Sequence, residues 1–255
     1  MSGEQAGRVA LVTGAAKGIG AAAATALAEQ GVRVVLLDRD LSPLPAPGRD
    51  HLALTCDVSD AGSVEQAVQQ AADECGRLDV LVNAAGIQRY GDVASTSVET
   101  WTEVLGTNLT GAFLLSHFAM PHLLATGDGA VVNVASVQAF VAQRGVAAYA
   151  ASKGGLVALT NAMAVDGAPT VRVNCIAPGS VDTPMLRNAA QLFTPDGGTA
   201  DETVASWGRM HPLGRPATAQ EVADAIVYLA GPRASFITGS VLRVDGGLLS
   251  VLGGT

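Results

Sequence analysis

The run Val9-Ala10-Leu11-Val12-Thr13-Gly14-Ala15-Ala16-Lys17-Gly18-Ile19-Gly20, passing straight into the Ala-rich stretch Ala21–Gln30, decides the fold. Val9–Val12 is a short apolar run of the kind that a sheet buries on both faces, and the stretch after it has helical composition. Between them, glycines spaced G-x-x-x-G-x-G permit a tight turn and let a pyrophosphate approach the N–H groups that open the helix. A strand-to-helix turn holding no ligand is the alternative reading of the same glycines, and their position after the first strand favours the ligand.

The same alternation continues along the chain. Further strands are predicted at Val32–Leu37, Leu52–Thr55, Val80–Val82, Val131–Val134, Val171–Ile176 and Val241–Val244, with a helix at Gly62–Glu74 between the third and fourth. Near-continuous apolar strands separated by helices imply an α/β fold: a doubly wound parallel sheet of about seven strands, covered by helices on both faces. No composition break marks a linker, so residues 1–255 read as a single domain. Capping boxes are expected at Thr96-x-x-Glu99 and Thr218-x-x-Glu221. Two stretches leave the alternation. Arg39–Asp50, with Pro43, Pro45 and Pro47, is too short and Pro-rich for a helix, and Pro178–Pro216 is a long excursion whose residues 184–216 read as a substrate lid.

Composition narrows the function classes. The 255 residues carry 15 Lys+Arg against 23 Asp+Glu, a net charge of −8, and only 15% charged residues against 49% hydrophobic ones. That is too apolar for disorder, and without a basic run it lacks the electrostatic footprint of a nucleic-acid binder. Val104–Gly127 has no charged residue across 24 positions, yet Thr107, Asn108, Thr110, Ser116, His117, Pro121 and His122 make a buried or interfacial helix the better reading than a membrane span. Cys56, Cys75 and Cys175 are odd in number and widely spaced, which argues against disulfides and points to the reducing cytoplasm. Met1–Gly7 is polar, unlike a secretory signal. His117 and His122 lie about 140° apart on a helix, so no metal site is expected there.

Chemistry-bearing residues gather at strand ends. Asp38 closes the second strand, 18 residues after Gly20, where a carboxylate accepts from adenosine ribose hydroxyls and repels a 2′-phosphate, favouring NAD over NADP. A solvated strand-end carboxylate is the competing reading, and Lys17 and Arg39 soften the discrimination. Asp57 and Val58 follow the third strand, and Asn83-Ala84-Ala85-Gly86 ends the fourth. Ser136 follows the fifth strand, and Tyr149 and Lys153 stand four apart on one helical face. An ammonium beside a phenol favours the phenolate and would lower the tyrosine pKa towards the working pH of a general base. Of the 15 basic residues only Lys17 and Lys153 are lysine, which implies that both positions need a compact amine rather than a planar guanidinium. Taken singly, Asn108 also reads as a helix-interior amide and Ser136 as a strand-end cap.

Jointly, the Thr13–Gly20 loop, Asn83–Gly86, Asn108, Ser136, Tyr149, Lys153 and the Pro178-Gly179 turn resemble, in order and spacing, the short-chain dehydrogenase/reductase family from Arg8 to Gly247. The resemblance implies a Rossmann-like fold, an NAD(P)-dependent alcohol dehydrogenase activity (EC 1.1.1.-) with NADP less favoured, and a homotetramer or homodimer. It implies that Tyr149 takes the hydroxyl proton, Ser136 holds the substrate oxygen, Lys153 holds the nicotinamide ribose, and Asn108 keeps a relay water. Gly14, Lys17, Gly18, Ile19, Gly20, Asp38, Asp57, Val58, Asn83, Ala85 and Gly86 would bind the cofactor, joined by Pro178, Gly179, Val181 and Thr183 near the nicotinamide. Ala84 replaces the family's second Asn, and the absent helix after Asp38 leaves the adenine side more open than usual. Gln88, Gln138, Gln143, Met185 and Trp207 would surround the substrate, with Tyr90, Leu186, Leu192, Phe193 and His211 nearby. The glutamines suit a sugar or polyol, Arg89 a carboxylate, and the apolar lid a cyclic alcohol. The expected function is therefore an NAD-dependent interconversion of a secondary alcohol and its ketone. An NADPH-dependent 3-oxoacyl-type ketoreductase and a non-catalytic dinucleotide-sensing regulator are the alternatives.

Overall fold

Strand pairing runs outward in both directions from β1 (Val9–Thr13), in a computed structural model that describes residues 5–42 and 51–251. On one side lie β2 (Arg33–Asp38) and then β3 (Leu52–Thr55). On the other lie β4 (Val80–Asn83), β5 (Gly129–Val134), β6 (Val171–Pro178) and β7 (Val241–Val244). The seven-stranded sheet has the order β3-β2-β1-β4-β5-β6-β7 and every pair is parallel. Chain direction across the sheet therefore reverses between β1 and β4, leaving a crevice at their carboxyl ends. The seven predicted strands are all present, some lengthened by one or two residues, while the second starts one residue later, at Arg33 in place of Val32.

Alternation along the strands loads both faces. Ala10, Val12, Val34, Leu36, Val82 and Ile176 pack against α1 (Gly18–Glu29) and α8 (Ala219–Ala230) through Leu27, Val222, Ile226 and Leu229. Val9, Leu11, Val35, Leu37, Leu81 and Val131 face α2 (Ala61–Cys75), α4 (Gly111–Ala125) and α5 (Ala147–Gly167), meeting Val68, Leu115, Leu123 and Met163. Covering on both faces is what makes β1, β4, β5 and β6 mostly apolar in sequence, and polar residues that they carry, such as Asn83, Asn133, Arg172 and Asn174, are buried and hydrogen-bonded.

Helix starts follow local chemistry, with one correction. α8 carries the Thr218–Glu221 capping box, and α7 (Ala200–Gly208) has a second, Thr199–Glu202, that the sequence reading did not include. For α3 (Val98–Leu105) the cap is Ser97, whose Oγ accepts from Thr100 N, and not Thr96. Thr96 is spent on the preceding turn, its hydroxyl donating to the Asp92 carbonyl at 2.6 Å.

The uncharged segment Val104–Gly127 runs from the end of α3 through a π-helical turn, Gly106–Thr110, into α4. Among the described residues no helix is long and apolar enough to cross a membrane, and no group of His, Cys, Asp or Glu is placed to hold a metal. The excursion after β6 is built from the two-residue strands Val181–Asp182 and Ala217–Thr218 with α6 (Pro184–Phe193) and α7 between them. Arg187 bridges it by pairing with both Asp182 and Asp201. The Pro-rich segment 43–50, and with it the reading of Pro43, Pro45 and Pro47, lies outside the described residues.

Candidate active site

The glycine loop is shaped by what it touches. Thr13 Oγ1 accepts from Ala84 N and Ala85 N, both at 3.0 Å, tying the end of β1 to the end of β4. Gly14 has φ +63°, and a Cβ there would lie 2.9 Å from Ala85 Cα, while a Cβ at Gly20 would lie 2.2 Å from the Gly14 carbonyl oxygen. Neither position admits another residue without moving backbone. At the start of α1, Lys17 occupies the capping position with extended backbone and no side-chain cap. The first-turn N–H groups beyond it lack that partner and lie at the wall of a cavity of about 600 Å³, an arrangement suited to a phosphate.

That cavity runs from Asp38 past Gly14, Gly18 and Ile19 to Thr183. Asp38 Oδ2 accepts from Ala16 N at 3.0 Å and Oδ1 from Arg39 N at 2.8 Å, so the carboxylate also holds the loop. Asp57 and Val58 line the same cavity. Asp57 is held below the usual carboxylate range, first by the Ser59 hydroxyl that donates to it. Thr183 faces Gly18, where a Cβ would lie 3.5 Å from Thr183 Cγ2.

Asn83 departs from the expectation. Its side chain is buried on the α4–α5 side of the sheet, donating from Nδ2 to Asn133 Oδ1 at 2.9 Å and to Ser116 Oγ at 3.3 Å. Asn83 and Asn133 are register partners on β4 and β5, so their side chains share a face. Asn133 in turn donates to Thr160 on α5. Asn83 thus acts as a brace beneath the crevice, and Ala84, Ala85 and Gly86 form the wall.

A second cavity, of about 650 Å³, shares Ile19, Ala84, Gly86 and Thr183 with the first and continues to Ser136, Tyr149 and Lys153. Ser136 Oγ hydrogen-bonds the Tyr149 phenol and accepts from Gln138 N at 3.1 Å. Lys153 Nζ donates to the Val134 carbonyl at 2.8 Å and lies 5.6 Å from the centre of the Tyr149 ring. Asn108, in the π-turn, clasps the Ile87 backbone: Oδ1 accepts from Ile87 N at 2.8 Å and Nδ2 donates to Ile87 O at 2.9 Å. The same Nδ2 donates to Ser152 Oγ at 3.0 Å, and Ser152 donates to the Tyr149 carbonyl at 2.7 Å. Ser152 is the link between Asn108 and Tyr149 that sequence reasoning missed, because attention to the Tyr149–Lys153 pair passes over the small residue between them.

Burial overrides the expected pairing of charges. It pushes the Tyr149 phenol up to about 12, with the Ser136 hydrogen bond pulling the other way and Tyr90 adding to the rise. Burial also pulls the Lys153 amine down to about 8. The expected lowering of the phenol by the ammonium is therefore not found in the protein by itself. Both groups lose more from desolvation than they gain from each other, and the amine's proton goes to a carbonyl. A neutral phenol donates a proton to a developing alkoxide directly. To accept one, it needs added positive charge or donors near its oxygen.

Gln88, Gln138, Gln143, Met185, Leu186 and Trp207 all line the second cavity, as do Pro178, Gly179 and Val181. Leu192 lines only the first cavity. Phe193 packs edge-on against Tyr90 with ring centres 4.7 Å apart. Arg89 is paired with Glu103 at 2.6 Å and does not line the second cavity. His211 is buried and braces the Pro178–Thr183 turn: Nε2 accepts from Ser180 N at 3.1 Å, so the ring proton sits on Nδ1 and donates to the Trp207 carbonyl at 3.0 Å.

A family model described as enoyl-(acyl carrier protein) reductase matches residues 14–249. Cis-4-hydroxycyclohexanecarboxylate dehydrogenase of Sinomonas cyclohexanicum is 40% identical over 252 residues, covering 96% of this chain and 97% of the relative. D-threitol dehydrogenase of Mycolicibacterium smegmatis is 40% identical over 249 residues, covering 94% and 92%. Among solved structures, the ligand-free aldohexose dehydrogenase of Thermoplasma acidophilum superposes with a TM-score of 0.92 at 35% identity, covering 100% of this chain and 99% of that one.

Proposed function

The chain belongs to the short-chain dehydrogenase/reductase family, and from that premise we propose that it interconverts a secondary alcohol and its ketone with NAD as cofactor and Tyr149 as the proton-transferring group. It is an oxidoreductase of CH–OH groups with a Rossmann-like parallel sheet. The observation that carries the catalytic assignment is the placing of Ser136, Tyr149 and Lys153 on the wall of one cavity where it opens into the glycine-loop cavity.

The residues present fit a dinucleotide. Gly14 and Gly20 let the loop fold tightly against its own backbone and that of Ala85, where a Cβ would collide, and the start of α1 has no side-chain cap. Gly14, Lys17, Gly18, Ile19 and Gly20 would hold the pyrophosphate, Asp38 the adenosine ribose, Asp57 and Val58 the adenine side, and Ala85, Gly86, Val181 and Thr183 the nicotinamide half, with Pro178 and Gly179 shaping the turn. NAD supplies a hydride acceptor when bound. Ser136 would hold the substrate oxygen beside Tyr149, which takes the hydroxyl proton in oxidation and returns it in reduction. Lys153 would hold the nicotinamide ribose and set the charge around the phenol, while Asn108 keeps Ile87 and the Tyr149 backbone in place through Ser152. Family members use NAD or NADP, and the Asp38 carboxylate at the ribose end supports NAD.

Residues 184–216 serve as the substrate lid. Trp101, Phe113, Leu124 and Val165 stay exposed on α3, α4 and α5, which supports burial against further copies in a homotetramer. The reduced thiols Cys56, Cys75 and Cys175 support a cytoplasmic location. The test is absorbance at 340 nm across a panel of secondary alcohols and ketones with NAD and NADP in parallel. Turnover with NAD is expected, and Tyr149→Phe is expected to lower kcat by about a thousandfold or more while dinucleotide binding persists. Unchanged turnover in Tyr149→Phe refutes the assignment.

A further inference from the structure

Of the four histidines His211 alone is buried, and the proton transfer above makes no use of it. It follows α7 and stands between two structures that approach the reacting atoms from different sides. Towards the sheet its ring lies on Gly179, where a Cβ would fall 2.6 Å from Nε2 and 3.1 Å from Cδ2. The imidazole therefore fills the place that a side chain at 179 would take. Towards the lid, Nδ1 is bonded to the carbonyl of Trp207, whose side chain lines the second cavity.

The backbone of the Pro178–Thr183 turn is held on both flanks. Pro178 has no N–H, the Gly179 N–H goes to the Val244 carbonyl at 3.1 Å, and the Ser180 carbonyl accepts from Ala217 N at 2.9 Å. The Ser180 N–H between them finds its acceptor in His211 Nε2 at 3.1 Å, 31 residues along the chain. This turn delivers Val181 and Thr183 to the cavity wall. The Trp207 carbonyl, by contrast, has a second donor in Met210 N at 3.2 Å. The Asp245 carboxylate beside the turn accepts from Gly247 N and Leu249 N, not from the ring. Both bonds of the imidazole require one tautomer, with Nε2 bare and Nδ1 protonated, because a proton on Nε2 would face the Ser180 N–H.

We infer that His211, neutral and in that tautomer, is a positioning residue for hydride transfer, fixing the nicotinamide-side turn against the Trp207 wall of the alcohol cavity. The inference rests on the oxidoreductase reading above. In that reaction the alcohol's C–H pair leaves as hydride to NAD and its O–H proton leaves through Tyr149 to solvent, giving a ketone, NADH and one proton. His211 exchanges no proton in it and acts through Ser180. Misplacing the support of a reacting centre by about 1 Å costs up to about a hundredfold in rate.

Two variants separate the two bonds. Glutamine brings an amide oxygen to the region of Nε2, where it accepts from Ser180 N, and asparagine brings an amide NH2 to the region of Nδ1, where it donates to the Trp207 carbonyl. The probe is the secondary alcohol that the unmodified protein turns over fastest in the panel above. Single-turnover NADH formation is expressed per dinucleotide-binding site, counted by NADH fluorescence, so that unfolding removes sites without slowing the rest. At saturating alcohol His211→Asn is expected to slow NADH formation about tenfold or more. His211→Gln is expected to stay within about twofold of the unmodified rate and to show its effect as a higher alcohol KM. An unchanged rate in His211→Asn, or equal losses in both variants, overturns the inference and leaves the oxidoreductase reading standing. Nitrogen-15 NMR of the imidazoles in the unmodified protein reads the tautomer directly. A protonated Nδ1 and a bare Nε2 are expected, and a protonated Nε2 overturns the inference whether or not either variant folds. Turnover of no alcohol in the panel with either dinucleotide overturns the oxidoreductase reading and the inference with it.

Discussion

Replacing Lys153 by methionine tests whether the reactive centre is maintained against the stability of the fold. The amine is buried, and burial lowers its pKa from 10.5 to about 8. Between those values the unfolded chain binds the proton and the folded chain releases it, so the lysine's unfavourable contribution is fully present below pH 8 and fades as pH rises towards 10.5. At about 1.36 kcal/mol per pKa unit, the contribution is about 3 kcal/mol at pH 7 and falls by about 2 kcal/mol by pH 9.5. Methionine keeps the chain length and removes the charge. It also strands the Val134 carbonyl, which accepts from Nζ at 2.8 Å, a loss of about 1–3 kcal/mol at either pH. Lys153→Met is therefore expected to be from equal to about 2 kcal/mol more stable than the parent at pH 7. That difference should shift against the variant by about 2 kcal/mol at pH 9.5, while oxidoreductase turnover is lost at both. Urea unfolding followed by circular dichroism, at one fixed chain concentration, reads the difference. A stability difference that does not change between the two pH values refutes the desolvation argument, as does a strongly destabilised variant at pH 7.

Asp38→Asn removes the negative charge and keeps an acceptor oxygen for one of the two N–H groups, of Ala16 and Arg39, that the carboxylate holds with its separate oxygens, turning an amide NH2 towards the other. The NADP-to-NAD ratio of kcat/KM is expected to rise about tenfold or more, and an unchanged ratio separates Asp38 from cofactor choice. Gly20→Ala places a Cβ 2.2 Å from the Gly14 carbonyl oxygen. Dinucleotide binding, followed by NADH fluorescence, is expected to weaken at least about tenfold because the loop must move; wild-type affinity refutes the close-packing argument. Arg172 is buried and donates to the carbonyls of Leu229, Ala230, Gly231 and Ala234. Arg172→Met strands these acceptors at the end of α8. It is expected to cost about 3 kcal/mol or more, a fall in Tm of about 6 °C or more by thermal melt, and a change of under 1 °C contradicts the role.

Features written by neighbouring residues were legible from the chain alone. The apolar runs announced every strand of the sheet, because a strand covered on both faces is mostly apolar. The Thr218–Glu221 cap needed only four consecutive residues, whereas the Thr96–Glu99 pattern was displaced by one residue because Asp92 claims the Thr96 hydroxyl. In the site, Ser136, Tyr149 and Lys153 line one cavity. Asn83 does not, because its direction depends on the register with Asn133, 50 residues away. Arginine usage is decided in three dimensions. Beyond supplying surface charge, Arg172 threads the interior to collect carbonyls from the end of α8 and the turn beyond it.

The sequence by itself determined the alternation of strand and helix, the glycine loop and the choice of candidate reacting groups, because each is encoded in short-range spacing and residue type. Tertiary structure alone decided which of those groups are satisfied and what state they hold. It buried Tyr149 and Lys153 together and moved their pKa values to about 12 and about 8, turned Asn83 and His211 into braces, paired Arg89 with Glu103, and left Gln138 Oε1 without a partner. The physical reason is the same in each case. Desolvation and hydrogen-bond satisfaction depend on every atom that surrounds a group, and those atoms come from segments that meet only when the sheet closes the chain upon itself.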